Sequence, residues 1–317
     1  MSGKEVSKAP AFAKRADVNK QARHLATLLR EGGKSPNYPC PVSVMSFVDK
    51  DRYPIDQLSS DAAKSVIAEA QRQISLTGAA ELPGFVTPEG VATLVADAES
   101  LAERSHPSGG MGTAWLEQPS DEWASDHPRR HRMKYGVRAV GYDVIPYTSP
   151  LRQLYELPEL TAFVAAILQR GPIFHYADPC GALNLAVMAE GDELQWHYDQ
   201  TDFVVSLAIQ DADIGGDFEM VPKLREADDE HYDRVARVFA GDHEEVVTLA
   251  MTPGTLLVFE GRYSLHRVSP IQGSTLRHVG LFAYDTKPDT VSNEHLRQDR
   301  YGRRVAFATP PEQWPVS

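Results

Sequence analysis

The sequence predicts a mainly β protein with flanking helices and a double-sheet jelly-roll core. Three observations predict it. Between residues 171 and 290, apolar runs of strand length recur at 173–176, 182–189, 195–197, 203–209, 217–220, 245–251, 255–259, 264–268 and 277–284. Turn signals divide them, at Glu190-Gly191-Asp192, Gly215-Gly216, Pro253-Gly254 and Gln272-Gly273. Short strands at this spacing suit two stacked sheets. Upstream of about residue 170 the apolar period is helical instead, which supplies helices to back one of those sheets.

The elements follow in order. Residues 1–50 form an N-terminal extension. Its first twenty residues are polar and Lys-rich and are expected to be poorly ordered. A short helix is expected over 21–30, ended by Gly32-Gly33, and the prolines of 37–41 force extended or turning backbone. Residues 51–170 read as helical support and lid. A helix over 60–76 carries the stripe Ala62, Val66, Ile67, Ala70 and Ile74 and can be capped by Ser59, Ser60 or Asp61. The next starts at Thr87 with Pro88 in its first position and ends near His106-Pro107, with Ser108-Gly109-Gly110 as loop. Residues 114–131 are dense in Trp, Pro, Asp and Arg without a period and read as a lid. A short strand is expected within 135–144, and helices over 150–155 and 157–168. The jelly-roll core spans 171–290, interrupted by a polar insertion at 222–244 that holds a surface helix over 228–239. Residues 291–317 read as a polar tail in which 301–304 fold back. All these parts are expected to form one structural domain.

Composition narrows the function classes. The 317 residues carry a net charge of −12, which argues against a nucleic-acid or anionic-membrane partner. Two isolated cysteines, Cys40 and Cys180, give neither a disulfide framework nor a Cys-x-x-Cys metal signature and fit a reducing compartment. Residues 1–30 lack an apolar run, so no secretory signal is expected, and no stretch has the length of a membrane span. The expectation is a cytoplasmic protein, with its state open between monomer and homodimer.

The chemistry concentrates in Gln195-Trp196-His197-Tyr198-Asp199-Gln200. Side chains two apart on a strand share a face, so His197 and Asp199 point together. His266, from a distant apolar run, can close a triangle with them. Two histidines and one carboxylate leave three positions open on a metal and suit non-haem Fe(II). Arg277, eleven residues after His266, can grip the far carboxylate of 2-oxoglutarate in a bidentate pair.

These residues, with Leu82-Pro83-Gly84-Phe85, Tyr176-Ala177-Asp178-Pro179, Gly215-Gly216-Asp217-Phe218-Glu219, Pro253-Gly254 and the run 259–268, give the chain a resemblance. Over about residues 80–305 it resembles the Fe(II)/2-oxoglutarate-dependent oxygenases. Within them it is most similar to the free amino-acid halogenases, such as the lysine chlorinase, and their hydroxylase relatives. The resemblance implies a double-stranded β-helix, iron on His197, Asp199 and His266, 2-oxoglutarate on Arg277, and O2 as oxidant. Those halogenases carry Gly or Ala in place of the triad carboxylate. This chain keeps Asp199, so the resemblance implies a hydroxylase of a small amino acid or close derivative, with succinate and CO2 as co-products. Desaturation or ring closure would use the same ligands. A non-catalytic, cupin-like binding protein is the alternative from another class.

Further positions are weighed against structural roles. Asn184, an amide inside an apolar strand, can bond the metal-chelating end of 2-oxoglutarate or a neighbouring strand. Asp178 can pair with a substrate ammonium or cap a turn; Gln200 can reach substrate if the strand turns after Asp199; Arg138 can hold a substrate carboxylate. Arg267 should make a rim ion pair, and Trp196 and Tyr198 should pack on the face opposite His197. His131, His175, His231, His243 and His278 have no ligand-like spacing and read as structural or exposed.

Overall fold

The computed structural model describes residues 43–302, so the expected helix over 21–30, Cys40 and residues 303–317 lie outside the described part. Four helices lie before residue 170, with strands between them: α1 (Asp61–Thr77), α2 (Pro88–Ala102), α3 (Pro150–Tyr155) and α4 (Pro158–Leu168). Their starts follow from capping. Ser60 Oγ accepts the Ala63 N–H at 3.1 Å, and Thr87 Oγ1 accepts that of Gly90 at 3.2 Å, so each satisfies an orphan donor of its first turn. α1 stops at Gly78, which takes a left-handed φ of 72°.

The strands are β1 (Ala79–Leu82), β2 (His106–Gly112), β3 (Met133–Gly141), β4 (Phe174–His175), β5 (Leu183–Met188), β6 (Leu194–His197), β7 (Val204–Gln210), β8 (Phe218–Val221), β9 (Val247–Leu249), β10 (Leu256–Phe259), β11 (Leu265–Val268), β12 (Arg277–Phe282) and β13 (Tyr284–Asp285). Seven form a large sheet in the order β1-β10-β7-β12-β5-β3-β2, and four form a small sheet in the order β6-β11-β8-β9. β4 and β13 make a separate pair. From β5 to β12 the chain shuttles between the two sheets with every pairing antiparallel, which is the double-stranded β-helix.

Alternation along each strand of the large sheet sorts its side chains into two cores. Leu185, Val187, Val205, Leu207 and Phe282 pack with Leu94, Val95, Leu160 and Phe163 of the helices. Ala186, Met188, Ala208, Leu257 and Leu281 face the small sheet, against Phe218, Met220 and Val268. The helix layer is also fastened by a polar contact. Asp97 of α2, only 6% exposed, accepts Ser149 Oγ at 2.6 Å and the Leu151 N–H at 3.4 Å at the start of α3.

Several segments differ from their sequence-based reading. α2 ends at Ala102 rather than near residue 106, and the stretch expected to be a loop becomes strand β2, paired residue for residue with β3. Its Pro107 and three glycines are tolerated because β2 is the edge of the sheet. β1 occupies the other edge. The region expected to be helical support and lid, with one short strand within 135–144, therefore contributes three strands to the large sheet. The 222–244 insertion holds a helix, α5 (Tyr232–Phe239), shorter than expected. The expected tail contains a helix, α6 (Glu294–Tyr301), capped by Asn293 and closed by Gly302 at φ 66°. Among the described residues no helix is long and apolar enough to cross a membrane.

Candidate metal centre

Antiparallel pairing of β11 with β6 sets His266 directly opposite His197. Their rings lie 4.2 Å apart between centroids. Asp199 follows two residues past the end of β6, where its N–H donates to Gly261 O at 3.0 Å and turns the carboxylate back toward the histidines. One potential ligand atom from each of the three residues lies within 4.8 Å of the others.

The backbone fixes the tautomers. His197 Nδ1 lies 2.7 Å from Gln195 O, and His266 Nδ1 lies 2.8 Å from Ser264 O. A carbonyl only accepts, so each Nδ1 carries a proton, and in the neutral ring each Nε2 presents a lone pair. His266 Nε2 then faces Asp199 Oδ2 at 3.3 Å, acceptor against acceptor. Asp199 Oδ2 is buried with no hydrogen-bond partner. A cation shared by the three ligands satisfies these lone pairs, and the donor set of two imidazoles and one carboxylate fits Fe(II).

Electrostatics favours the ligating forms. Burial pushes the His197 pKa down to about 4, helped by repulsion from His266, so the ring is neutral near pH 7. Burial pushes the Asp199 carboxyl up, but attraction to His266 and His197 in their protonated forms outweighs it, and the net direction is downward. The surroundings are apolar on one side: Phe218 stacks on His266 at 5.5 Å and Phe259 meets it edge-on at 5.0 Å. Gly261 sits against the carboxylate so closely that a Cβ there would lie 2.0 Å from Asp199 Oδ2.

Asp199 opens into a cavity of about 470 Å³, to which Asn184 and Gln200 also contribute. The Asn184 side chain faces it with Oδ1 buried and without a hydrogen-bond partner. Gln200 accepts Asn293 Nδ2 through its Oε1 at 3.0 Å, which ties it to the start of α6. Arg277 opens β12, is 5% exposed, and places Nη1 3.7 Å from Met188 Sδ in the space between the sheets. Gly216 makes room for it: φ there is +71°, and a Cβ would lie 2.7 Å from Arg277 Cδ.

Two expected substrate residues stand elsewhere. Asp178 is fully buried and accepts the N–H groups of Cys180 (2.9 Å), Gly181 (3.0 Å) and Ser292 (2.9 Å). Its carboxylate is committed to holding the chain before β5 and after β13, and it does not grip a ligand ammonium. Arg138 lies on the exposed face of β3, away from the cavity. Arg267 pairs with Glu219 at 2.5 Å, and Trp196 and Tyr198 pack with α5. The lid segment is pinned by Arg129, which reaches Glu117 (3.0 Å), Glu230 (2.8 Å) and the Tyr232 hydroxyl (2.8 Å); from it, Leu116 lines the cavity.

Sequence reasoning missed the arginines of the cavity. Arg170 and Arg262 both bind Asp202, at 3.0 and 2.6 Å, and Arg262 also donates to Gln200 O. Arg300 of α6 is the third. Position in sequence gave no signal for any of them, since arginines in loops and tails are mostly exposed.

A model of the Halogenase D family matches residues 62–301. No curated protein matches the sequence. Among solved structures, the chain is similar to an oxidoreductase of the 2OG-Fe(II) oxygenase family from Burkholderia pseudomallei, at 15% identity over 70% of this chain and 91% of that one, with a TM-score of 0.45. It is also similar to AviO1 from Streptomyces viridochromogenes, at 22% identity over 68% and 93% of the two chains, TM-score 0.47. A prolyl-4-hydroxylase from Pseudomonas putida shares 13% identity over 68% and 96%, TM-score 0.42.

Proposed function

The chain belongs to the Halogenase D family, and on that premise we propose that it hydroxylates an unactivated C–H bond of a small free amino acid or close derivative. Its general class is that of the Fe(II)/2-oxoglutarate-dependent oxygenases. The observation that carries the reading is the meeting of two Nε2 lone pairs and an orphaned carboxylate oxygen at one buried point.

His197, Asp199 and His266 would hold the metal on one face and leave the other face toward the cavity. Bound there, Fe(II) with 2-oxoglutarate and O2 supplies an oxidant able to attack an unactivated carbon, with succinate and CO2 released. Arg277 would pair with the remote carboxylate of 2-oxoglutarate, and its buried setting makes that charge-assisted pair strong. The buried Asn184 amide would supply a hydrogen bond to the chelating end. Phe218 and Phe259 keep water from the ligands, and the cavity has the size of a small-molecule site rather than of a protein-binding groove.

Despite the family's name, Asp199 favours hydroxylation over halogenation. A carboxylate ligand fills the coordination position that a halide would need and repels it. The test is mass spectrometry of products from a panel of free amino acids, with Fe(II), 2-oxoglutarate and air, in the presence and absence of chloride. A hydroxylated amino acid with matching succinate release is expected under both conditions. A chlorinated product from the unmodified protein would remove Asp199 from the ligand set.

A further inference from the structure

The cavity beside Asp199 contains three guanidinium groups, and they differ in what they already hold. Arg170 and Arg262 are joined to Asp202, at 3.0 and 2.6 Å, and Arg262 donates in addition to Gln200 O. Arg300 has a buried Nη1 with no hydrogen-bond partner. A buried donor left unmade is costly, more so when the group is charged, so such a group calls for a ligand.

Its placement is held from both sides. Asp299 accepts Ser108 Oγ at 2.8 Å and the Tyr135 hydroxyl at 3.0 Å, which fixes α6 to the β2–β3 hairpin. Tyr301 is buried against Ala139 and Cys180. At the other end of α6, Asn293 reaches Gln200, next to the ligand Asp199. The residue between Asp299 and Tyr301 is thereby carried into the cavity wall.

We infer that Arg300 anchors a carboxylate of the substrate, and so orients the carbon to be oxidised against the metal face of the cavity. This rests on the reading of the site given above, in which Arg277 already serves 2-oxoglutarate. A carboxylate offers two acceptors to the guanidinium fork and neutralises its charge, which an amide or alcohol does not. The substrate class is therefore a small acid, with a free amino acid as the first case.

The experiment follows the visible absorption of the anaerobic Fe(II)–2-oxoglutarate complex. The probes are the twenty common L-amino acids and their primary carboxamides. At least one acid is expected to perturb the band, with its carboxamide binding at least about tenfold more weakly. In Arg300→Gln the affinity for that acid should fall about tenfold or more while the carboxamide changes little, and Arg300→Lys should recover part of the loss. The 2-oxoglutarate dependence of the band and the melting temperature should stay as in the unmodified protein. Equal binding of acid and carboxamide, an Arg300→Gln variant that binds the acid normally, or a panel in which no acid moves the band would each overturn the assignment. A loss of 2-oxoglutarate affinity in Arg300→Gln would overturn it too, by giving Arg300 to the cosubstrate. If the unmodified protein forms no band at all, the iron reading itself fails and takes this assignment with it.

Discussion

The two faces of β12 do different work, though they alternate along one six-residue strand. Arg277, Val279 and Leu281 point between the sheets, toward the space that holds the triad; Phe282 points to the helix side, where its ring meets that of Tyr155 at 5.6 Å. The helix side of this strand is closed, and His278 is its one polar side chain. The inner side admits Asn184, Ser206, Gln210 and Arg277, polar groups that an ordinary core would reject. The difference teaches that stability and chemistry are separated by one residue of register. A one-residue slip would exchange them, and the cross-strand pairing of β12 with β5 and β7 prevents it.

Breaking the inner side should have the largest effect on function and little on folding. His266→Ala is expected to abolish metal binding and turnover, because it removes one of three ligands, while the melting temperature of the metal-free protein changes little. Tight iron binding in that variant, by metal analysis after gel filtration, would take His266 out of the site. The reverse holds across the sheet. Phe163 is fully buried on α4 and stacks on Phe85 at 6.2 Å. Phe163→Ala should cost about 3–5 kcal/mol in chemical denaturation yet leave turnover per folded molecule near normal. A turnover defect larger than the folding defect would show that the two faces are not separate.

Arg277→Ala sharpens the comparison within the inner side. Losing a charge-assisted pair is worth about 1.5–3 kcal/mol, so the 2-oxoglutarate concentration for half-maximal rate should rise about tenfold or more. An unchanged dependence would move the anchor to another arginine. The smallest effect belongs to His278, Arg277's neighbour on the opposite face. It is fully buried, neither ring nitrogen has a partner, and burial depresses its pKa to about 4. The unfolded chain takes up this proton near pH 6.5 and the folded chain only near 4, so stability is full above 6.5 and falls as pH drops through that window. The slope from this one group is at most about 1.4 kcal/mol per pH unit. His278→Leu should flatten the acid limb of a stability–pH curve by about that amount; an unaltered limb would mean the ring is protonated in the fold.

The triad and the strands that carry it were legible because a His-x-Asp pair on a strand must share a face, and because apolar runs flank both histidines. Asp178 takes the turn-capping one of its two expected roles and Arg138 lines no cavity, and the sequence could not choose for one reason: residue type and spacing say nothing about which backbone N–H groups a carboxylate will meet, or which face of an outer strand an arginine will take. The β2–β3 hairpin hid behind Pro107 and its glycines, which read as loop unless the strand is known to be an edge. α6 hid for the opposite reason. The run Glu294–Tyr301 is almost wholly polar and carries no apolar stripe, so nothing announced that it docks through Asp299 and Tyr301.

The contact between Gly261 and Asp199 has a bearing on how this centre could change over descent or by design. The need for glycine at 261 is conditional: it exists only while a carboxylate stands at 199, since that carboxylate occupies the volume of the missing methyl. Gly261→Ala alone should displace the carboxylate, and Asp199→Gly alone should leave a void beside the metal face. Together they need not add, because each relieves the constraint the other violates. Positions 199 and 261, 62 residues apart in sequence, therefore behave as one site of mutation, and the order in which they are altered decides whether an intermediate can hold a metal at all.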